Sequence, residues 1–184
     1  MNRRIVFALL LIAAVFMACN KPVKGRNGVT YKNPVQYNDY IISRQSMLMK
    51  KVIDFGKVAQ SNLDSADKML NLFVKQTDEM IDELKGMPAF KRDSSMRDAA
   101  VRSFAFYKKV FNNDYRQIIQ IRKREDLTME ESDKQIGEIV EKLTDEEARY
   151  DKALQATQRD FAERNNMKLK ENELQKEFNK KTEQ

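Results

Sequence analysis

The chain has 184 residues, a formal net charge of +6, a single cysteine and no histidine. Without histidine it lacks the commonest general base and the commonest metal ligand, which excludes a Ser-His-Asp site and a Glu-x-x-His di-iron site. One cysteine excludes an internal disulfide. Only five glycines and three prolines are available for turns, so a turn-rich β-sandwich is disfavoured and a helical fold is favoured.

The N-terminus is typical of a signal peptide. Two arginines precede a run of apolar residues that ends at Phe16, and a small residue comes directly before Cys19. The apolar run is too short to cross a bilayer as a helix, which takes about 20 residues. The four residues ending at Cys19 resemble a bacterial lipobox, although Phe16 stands where leucine is usual. This resemblance implies that residues 1–18 are removed and that Cys19 is lipidated.

Residues 19–33 are predicted to form a flexible tether between the lipid and the folded domain, because they are polar and contain one proline and two glycines. Fully extended, the 14 residues after Cys19 span at most about 45 Å. A folded domain is therefore expected from residue 34 onward.

Four amphipathic helices are predicted in the rest of the chain. Asn33, followed by a proline, is typical of a helix N-terminus, and Gly86 and Pro88 predict the end of the second helix. Thr128 and Glu131 fit a capping box that opens the fourth. The predicted helices cover about residues 34–62, 64–85, 94–124 and 129 to beyond 165.

These helices predict an all-α fold, an antiparallel up-down four-helix bundle over residues 34–164. The fourth helix would be about 75 Å long, against about 45 Å for the first and third. Residues 165–184 are therefore expected to project as a charged C-terminal helix. A second Thr-x-x-Glu motif at Thr144 would allow a break in the fourth helix, but no glycine or proline supports one, so a continuous helix is expected.

Charge is distributed in two blocks. Residues 91–124 carry 10 basic and 3 acidic side chains, whereas residues 129–151 carry 3 basic and 9 acidic ones. The blocks predict that the third and fourth helices lie side by side and neutralise each other. A nucleic-acid partner would need the basic face to be left open, so none is expected.

The first candidate binding site is the sequence Tyr37-Asn38-Asp39-Tyr40, which is echoed by the residues around Asp114. Two acids beside tyrosines suggest acid–base chemistry. On parallel helices, however, Asp39 and Asp114 would lie about 20 Å apart, and paired carboxylates act within about 10 Å of each other. We interpret Asp39 as a favourable charge at a helix start and Asp114 as a polar residue that sets helix register, with a ligand contact as the alternative.

The second candidate site consists of Met167, Leu174 and Phe178, whose spacing of seven and four residues places them on one helical face. They form either a solvated helix end or a docking helix for a partner protein or a second copy of the chain. No catalytic residue, cofactor or metal is assigned. The neighbouring Met47 and Met49 are expected to fill the core rather than to bind copper.

Three features carry a family resemblance: the lipobox with its short tether, the Tyr-Asn-Asp start of the first helix, and FAFYKKVFNNDYRQIIQI at residues 104–121. In these the chain resembles small all-helical envelope lipoproteins of Bacteroidota-type and spirochaete-type bacteria, a group of uncharacterised function. The resemblance implies an outer-membrane protein on the periplasmic side. Residues 20–22 lack the acidic side chains that direct related lipoproteins to the cell surface, which is the alternative location.

We therefore expect a non-enzymatic envelope lipoprotein, held at the membrane by its N-terminal lipid, whose bundle or C-terminal helix engages an envelope protein or the cell wall. A helical bundle that binds a small molecule or a lipid is the alternative. That function requires a gap between the helices, which is expected at the small residues Ala66, Thr77 and Ala100. A homo-oligomer is compatible with either function, and an enzyme is disfavoured by the missing catalytic residues.

Overall fold

The computed structural model describes residues 22–169, which form a short β-hairpin followed by a bundle of helices. The predicted all-α bundle with a long last helix is confirmed. In chain order the elements are β1 (Val23–Lys24), β2 (Thr30–Tyr31), α1 (Pro34–Ser61), α2 (Leu63–Lys85), α3 (Ser95–Lys109), a π-helical turn (Val110–Asp114), α4 (Tyr115–Arg122) and α5 (Met129–Arg164).

Side-chain caps explain where the helices begin. The Asn33 side chain accepts a hydrogen bond from the backbone of Gln36 at 2.9 Å, as predicted from its N-cap position. Asn62 ends α1 and begins α2, because its backbone N–H donates to Val58 while its side chain accepts from the Ser65 backbone. The capping box that opens α5 is also present. The Thr128 backbone donates to the Glu131 carboxylate at 2.9 Å, and the Glu131 backbone donates to the Thr128 hydroxyl at 3.2 Å.

The core lies between consecutive helices. α1 packs on α2, α2 on α3, and α3 on α5, whereas the backbones of α1 and α5 approach each other much less closely. Ala66, Thr77 and Ala100 are fully buried, so no gap opens at these three positions. The largest buried side chains include aromatic rings from the hairpin and from three different helices, namely Tyr31, Tyr37, Phe104, Phe111 and Phe161.

The third predicted helix is interrupted, which is a difference from the sequence prediction. Five residues form a π-helical turn, and the Tyr115 backbone N–H donates to the carbonyl of Val110, five residues earlier. A π-helical turn holds one residue more than an α-helical turn, so it rotates the following positions backwards around the axis. As a result, Ile119 is buried in the core, whereas Ile118 is only partly buried.

The flexible tether predicted for residues 19–33 is wrong for residues 22–33, which belong to the folded body. Val23 pairs with Tyr31 in an antiparallel hairpin, and the Tyr31 side chain is buried in the core. The hairpin lies against the end of α2. A Cβ atom on Gly86 would come within 2.8 Å of the Asn27 backbone nitrogen, so this backbone contact requires glycine. Gly25, which indicated flexibility in the sequence, also permits close contact, because a Cβ atom there would come within 2.8 Å of the Gly86 carbonyl oxygen.

The helix predicted to project over residues 165–184 is wrong at its start, because α5 ends at Arg164. Asn166 adopts a left-handed conformation with φ of 51°. Its backbone N–H donates to Glu163 at 3.1 Å and that of Met167 donates to Ala162 at 2.8 Å, the two bonds of a Schellman motif. Asparagine can replace glycine in this cap, a signal that a search for glycine and proline missed. Residues 170–184 lie outside the described part of the chain.

The expected continuity of α5 across Thr144 is confirmed. The Thr144 hydroxyl donates to the carbonyl of Val140, one turn earlier, at 2.9 Å. It therefore acts as a mid-helix residue bonded to its own helix rather than as a cap that begins a new one.

Charge pairing between the third and fourth predicted helices is only partly as expected. Lys109 pairs with Glu146 of α5 at 2.9 Å, in agreement with the prediction. The neighbouring basic side chains instead reach back to acids on α2, because α3 and α4 also pack on that helix. These pairs are Lys108 with Asp78, Arg116 with Asp67, and Lys123 with Asp64.

Candidate functional site

The structure separates the four residues of the first candidate site. Tyr37 is buried in an aromatic cluster, stacked on Phe161 at 5.3 Å between ring centroids and close to Phe90 at 5.4 Å. Its hydroxyl donates to the Pro88 carbonyl at 3.0 Å. Burial raises the pKa of the Tyr37 hydroxyl well above its ordinary value. Tyr37 therefore holds α1, α5 and the loop before α3 together.

Asn38, Asp39 and Tyr40 point in different directions. The Asn38 side chain is buried and accepts a hydrogen bond from Gln158 of α5 at 2.8 Å. Asp39 is exposed. The Tyr40 hydroxyl donates to Glu83 of α2 at 3.2 Å, which ties α1 to α2. These contacts join helices, and they do not converge on one ligand-binding surface.

The second candidate site is not a helical face in the described structure. Met167 lies beyond the end of α5 and is partly buried against the core. Because the helix ends at Arg164, Met167 does not continue the helical face on which the predicted strip depends. Leu174 and Phe178 lie outside the described residues, as does Cys19.

A cluster of tyrosine and carboxylate groups lies where α3 packs on α5. Tyr107 is buried, and its hydroxyl donates to the Glu147 carboxylate and lies 3.6 Å from the sulfur of Met49 on α1. Burial, and then the negative charge of Glu147, raise the pKa of the Tyr107 hydroxyl far above its ordinary value. Tyr107 is therefore a permanent hydrogen-bond donor to Glu147.

Asp151 lies one turn beyond Glu147 on the same helix. Burial, and then repulsion by Glu147, raise the pKa of the Asp151 carboxyl from 3.8 to about 6. The same two causes raise the pKa of Tyr115 to about 12. Asp151 therefore carries a proton under mildly acidic conditions, at a pH where an ordinary aspartate is ionised.

The π-helical turn borders this cluster. Asp114, its last residue, lies 3.6 Å from the ammonium group of Lys109, and Lys109 also binds Glu146 at 2.9 Å. Hydrogen bonding to Glu146 raises the pKa of Lys109. π-Helical turns and perturbed carboxyl groups often mark functional sites, so this tyrosine–carboxylate cluster is the strongest candidate within the bundle. Asp39 is exposed near the start of α1 and is not part of it.

The tyrosine–carboxylate cluster packs α3 against α5 and offers Asp151 as a proton-binding group. In residues 22–169, no group of three or more acidic or sulfur ligands is arranged to hold a metal ion. Two open surface depressions lie at the end of the bundle that carries the hairpin, and neither opens onto the cluster. One is lined by Ser95, Thr157, Asp160, Glu163 and Arg164, and the other by Arg26, Asn27, Glu79, Asp82, Glu83, Lys85 and Gly86.

Sequence reasoning missed the tyrosine–carboxylate cluster, although one signal was available. Glu147 falls in the apolar stripe of α5 between Leu143 and Leu154, at a position where an isolated charge is costly. An acid in such a stripe predicts a buried donor on the facing helix. The identity of that donor, Tyr107, depends on helix packing and could not be assigned from spacing.

Comparison of the chain with models of known families, with curated proteins and with solved structures finds no match. No helix in the described range 22–169 combines the length and the apolar character that a membrane span requires.

Proposed function

We propose that the chain is a non-enzymatic lipoprotein of the cell envelope, anchored to the outer membrane on its periplasmic side through lipid on Cys19. The observation that carries the proposal is the signal sequence that ends in the only cysteine of the chain. Its role is that of a structural or interaction module that engages an envelope protein or the cell wall.

Two features of the folded body support this proposal. The candidate residues Tyr37, Asn38 and Tyr40 are used to join helices, which leaves them unavailable as a reaction centre. The first strand of the folded body also begins four positions after Cys19, so a lipid on that cysteine would hold the bundle close to the membrane. A short connection of this kind suits a module that acts at the membrane surface.

Replacement of Cys19 by alanine tests the anchor. We expect the wild-type chain to be recovered from membranes with a lipid-modified N-terminal Cys19, identified by mass spectrometry of the N-terminal peptide. The Cys19→Ala chain should stay unprocessed or become soluble. One acyl chain gives only reversible attachment, whereas a multiply acylated cysteine supplies a stable anchor. A wild-type chain whose Cys19 carries no lipid would refute the proposal.

Truncation after Leu169 tests whether residues 170–184 bind the partner. The truncated chain keeps the Schellman motif and Met167, so the described fold is not disturbed. Cross-linking in intact envelopes, followed by recovery of the tagged protein, should yield a specific partner with the full chain. Loss of that partner on truncation would assign the contact to residues 170–184, and its retention would assign the contact to the bundle.

A bundle that binds a small molecule or a lipid is the second candidate, favoured by the wider separation of α1 and α5. The buried state of Ala66, Thr77 and Ala100 removes the gap that the sequence suggested. Native mass spectrometry of protein purified from envelopes distinguishes the two functions, because a tightly held ligand adds a defined mass that unfolding removes.

A further inference from the structure

One end of the bundle is rich in unpaired basic side chains. This hairpin end consists of residues 22–33, 86–94 and 165–169, which the fold brings together at the start of α1 and the end of α5. The one acid within these three segments, Asp93, is held by Arg164 at 2.8 Å. Six basic side chains at this end are exposed and form no ion pair with another described residue: Lys24, Arg26, Lys32, Lys91, Arg92 and Lys168.

The opposite end of the bundle differs in charge. The loop of residues 123–128 carries two basic and two acidic side chains. Lys123 pairs with Asp64, and Arg124 pairs with Asp126. Positive charge is therefore concentrated in the three segments of the hairpin end. Arg26 adds little to it, because it faces the acids Glu79, Asp82 and Glu83 on the flank of α2. Asp160 and Glu163 lie on the neighbouring end of α5, so the Lys91–Arg92 turn is the most distinctly basic part of this end.

The turn at Lys91 and Arg92 is a second, independent observation. Phe90 and Asp93 exchange two backbone hydrogen bonds of 2.9 Å, and the two residues between them have φ of 50° and 70°. Positive φ at both central positions is the geometry of a type I′ turn, for which Asn-Gly is strongly preferred. Asn-Gly would be less strained in such a turn than Lys-Arg, so the exposed Lys-Arg pair carries a cost in stability.

The length of chain before the hairpin places this end near a membrane. Two residues separate Cys19 from Pro22, so the three Cα-to-Cα steps between them reach at most about 11 Å. The hairpin itself is fixed to the bundle, because Asn27 donates to the Tyr31 hydroxyl at 2.7 Å and to the Glu83 carbonyl at 3.2 Å. Lipid on Cys19 therefore holds the hairpin end within about one Debye length of the membrane surface, where charges interact strongly.

We propose that the hairpin end is a docking surface for anionic phospholipid headgroups and that the Lys91–Arg92 turn is its principal contact. The orientation of the bundle at the membrane that follows from this docking rests on the proposed lipidation of Cys19. Docking by this end directs α1 and α5 away from the membrane, with the loop of residues 123–128 outermost. The far end of the bundle is then presented to other components of the envelope.

The test uses chain 19–184 carrying Cys19→Ala, which contains the whole described body and no lipid. Its binding to phosphatidylcholine vesicles with and without about one-third phosphatidylglycerol is measured by co-sedimentation. The turn variant is K91N/R92G, and the control is K57N/K134N, which removes two exposed cations from the opposite end. We expect the protein to bind only the anionic vesicles and to lose this binding at high salt. The affinity should fall about 30-fold in the turn variant and change little in the control.

The turn variant also separates a binding role from a structural one. Asn-Gly relieves the strained turn, so K91N/R92G should melt at a higher temperature than the wild type while it binds anionic vesicles less well. Equal vesicle binding by the turn variant and the wild type would overturn the proposal. Binding to heparin without binding to vesicles would also overturn it and would assign the surface to another polyanion. Because the unlipidated chain is used, failure here leaves the lipidation of Cys19 untouched, and the mass spectrum of the N-terminal peptide tests that separately.

Discussion

Replacement of Asp151 by asparagine should stabilise the folded protein at neutral and alkaline pH. In the folded state, burial and the charge of Glu147 raise the pKa of the Asp151 carboxyl from 3.8 to about 6. A raised pKa means that the folded state binds the proton more tightly than the unfolded state. Stability is therefore lost as pH rises from about 4 to about 6, and the full penalty applies above that range.

The size of the effect follows from the pKa shift. Each pKa unit corresponds to about 1.4 kcal/mol, so a fully desolvated carboxylate would cost about 3 kcal/mol at pH 8. Asp151 is partly exposed, and solvent screening reduces this penalty to about 1–2 kcal/mol. Asp151→Asn should raise the free energy of unfolding by that amount at pH 8 and by about a third as much at pH 4.5.

Urea denaturation at the two pH values measures this difference. The matched control is Asp145→Asn, which removes an exposed acid from the same helix and should change the unfolding midpoint little at either pH. An Asp151→Asn midpoint that matches the wild type at pH 8 would refute the reasoning. A gain of equal size at pH 4.5 and pH 8 would also refute it, because the effect would then not come from ionisation.

Three further predictions concern single side chains, each measured by urea denaturation at pH 8. Tyr107→Phe removes the hydroxyl that donates to Glu147 and should lower the free energy of unfolding by about 1–3 kcal/mol. Its control, Tyr150→Phe, alters a half-buried ring stacked on Phe106 and should lower the free energy of unfolding far less. Gly86→Ala places a Cβ atom against Asn27, so it should lower the free energy of unfolding by about 1–3 kcal/mol and expose residues 22–31 to proteases. Its control, Gly56→Ala, places the Cβ atom in open space and should raise the free energy of unfolding by about 0.5–1 kcal/mol. Asn166→Ala should cost about 1 kcal/mol because of the left-handed backbone, and Asn166→Gly should cost nothing; equal losses would exclude backbone strain as the cause.

Local signals were sufficient for most helix boundaries. Asn33, Asn62 and Thr128 cap their helices through bonds to residues three positions away, so the information lies within one turn of sequence. Ala66 and Leu70 are four residues apart, which places both on one face of α2, and both are buried. These features depend on neighbours in sequence, which is why pattern reasoning found the caps at Asn33 and Thr128.

The docked hairpin and the tyrosine–carboxylate cluster depended on partners distant in sequence. Gly25 resembles a flexible position, and Gly86 only a helix end, until the backbone that passes beside them is known. Glu147 stands in the apolar stripe of α5, and only the packing of α3 on α5 decides that Tyr107 donates to it. No local rule specifies such a pair.

The sequence by itself determined the helical class, the caps, the candidate lipidation residue and the absence of histidine chemistry, because these depend on residue identity and short-range spacing. Only the tertiary structure decided that the folded body begins directly after Cys19. The composition of residues 22–33 indicated a flexible tether, whereas the hydrogen bonds of Asn27 fix these residues to the bundle as a hairpin. The same packing collected basic residues from three separate loops at that end. Burial and charge are properties of the surroundings of a side chain, and folding creates those surroundings.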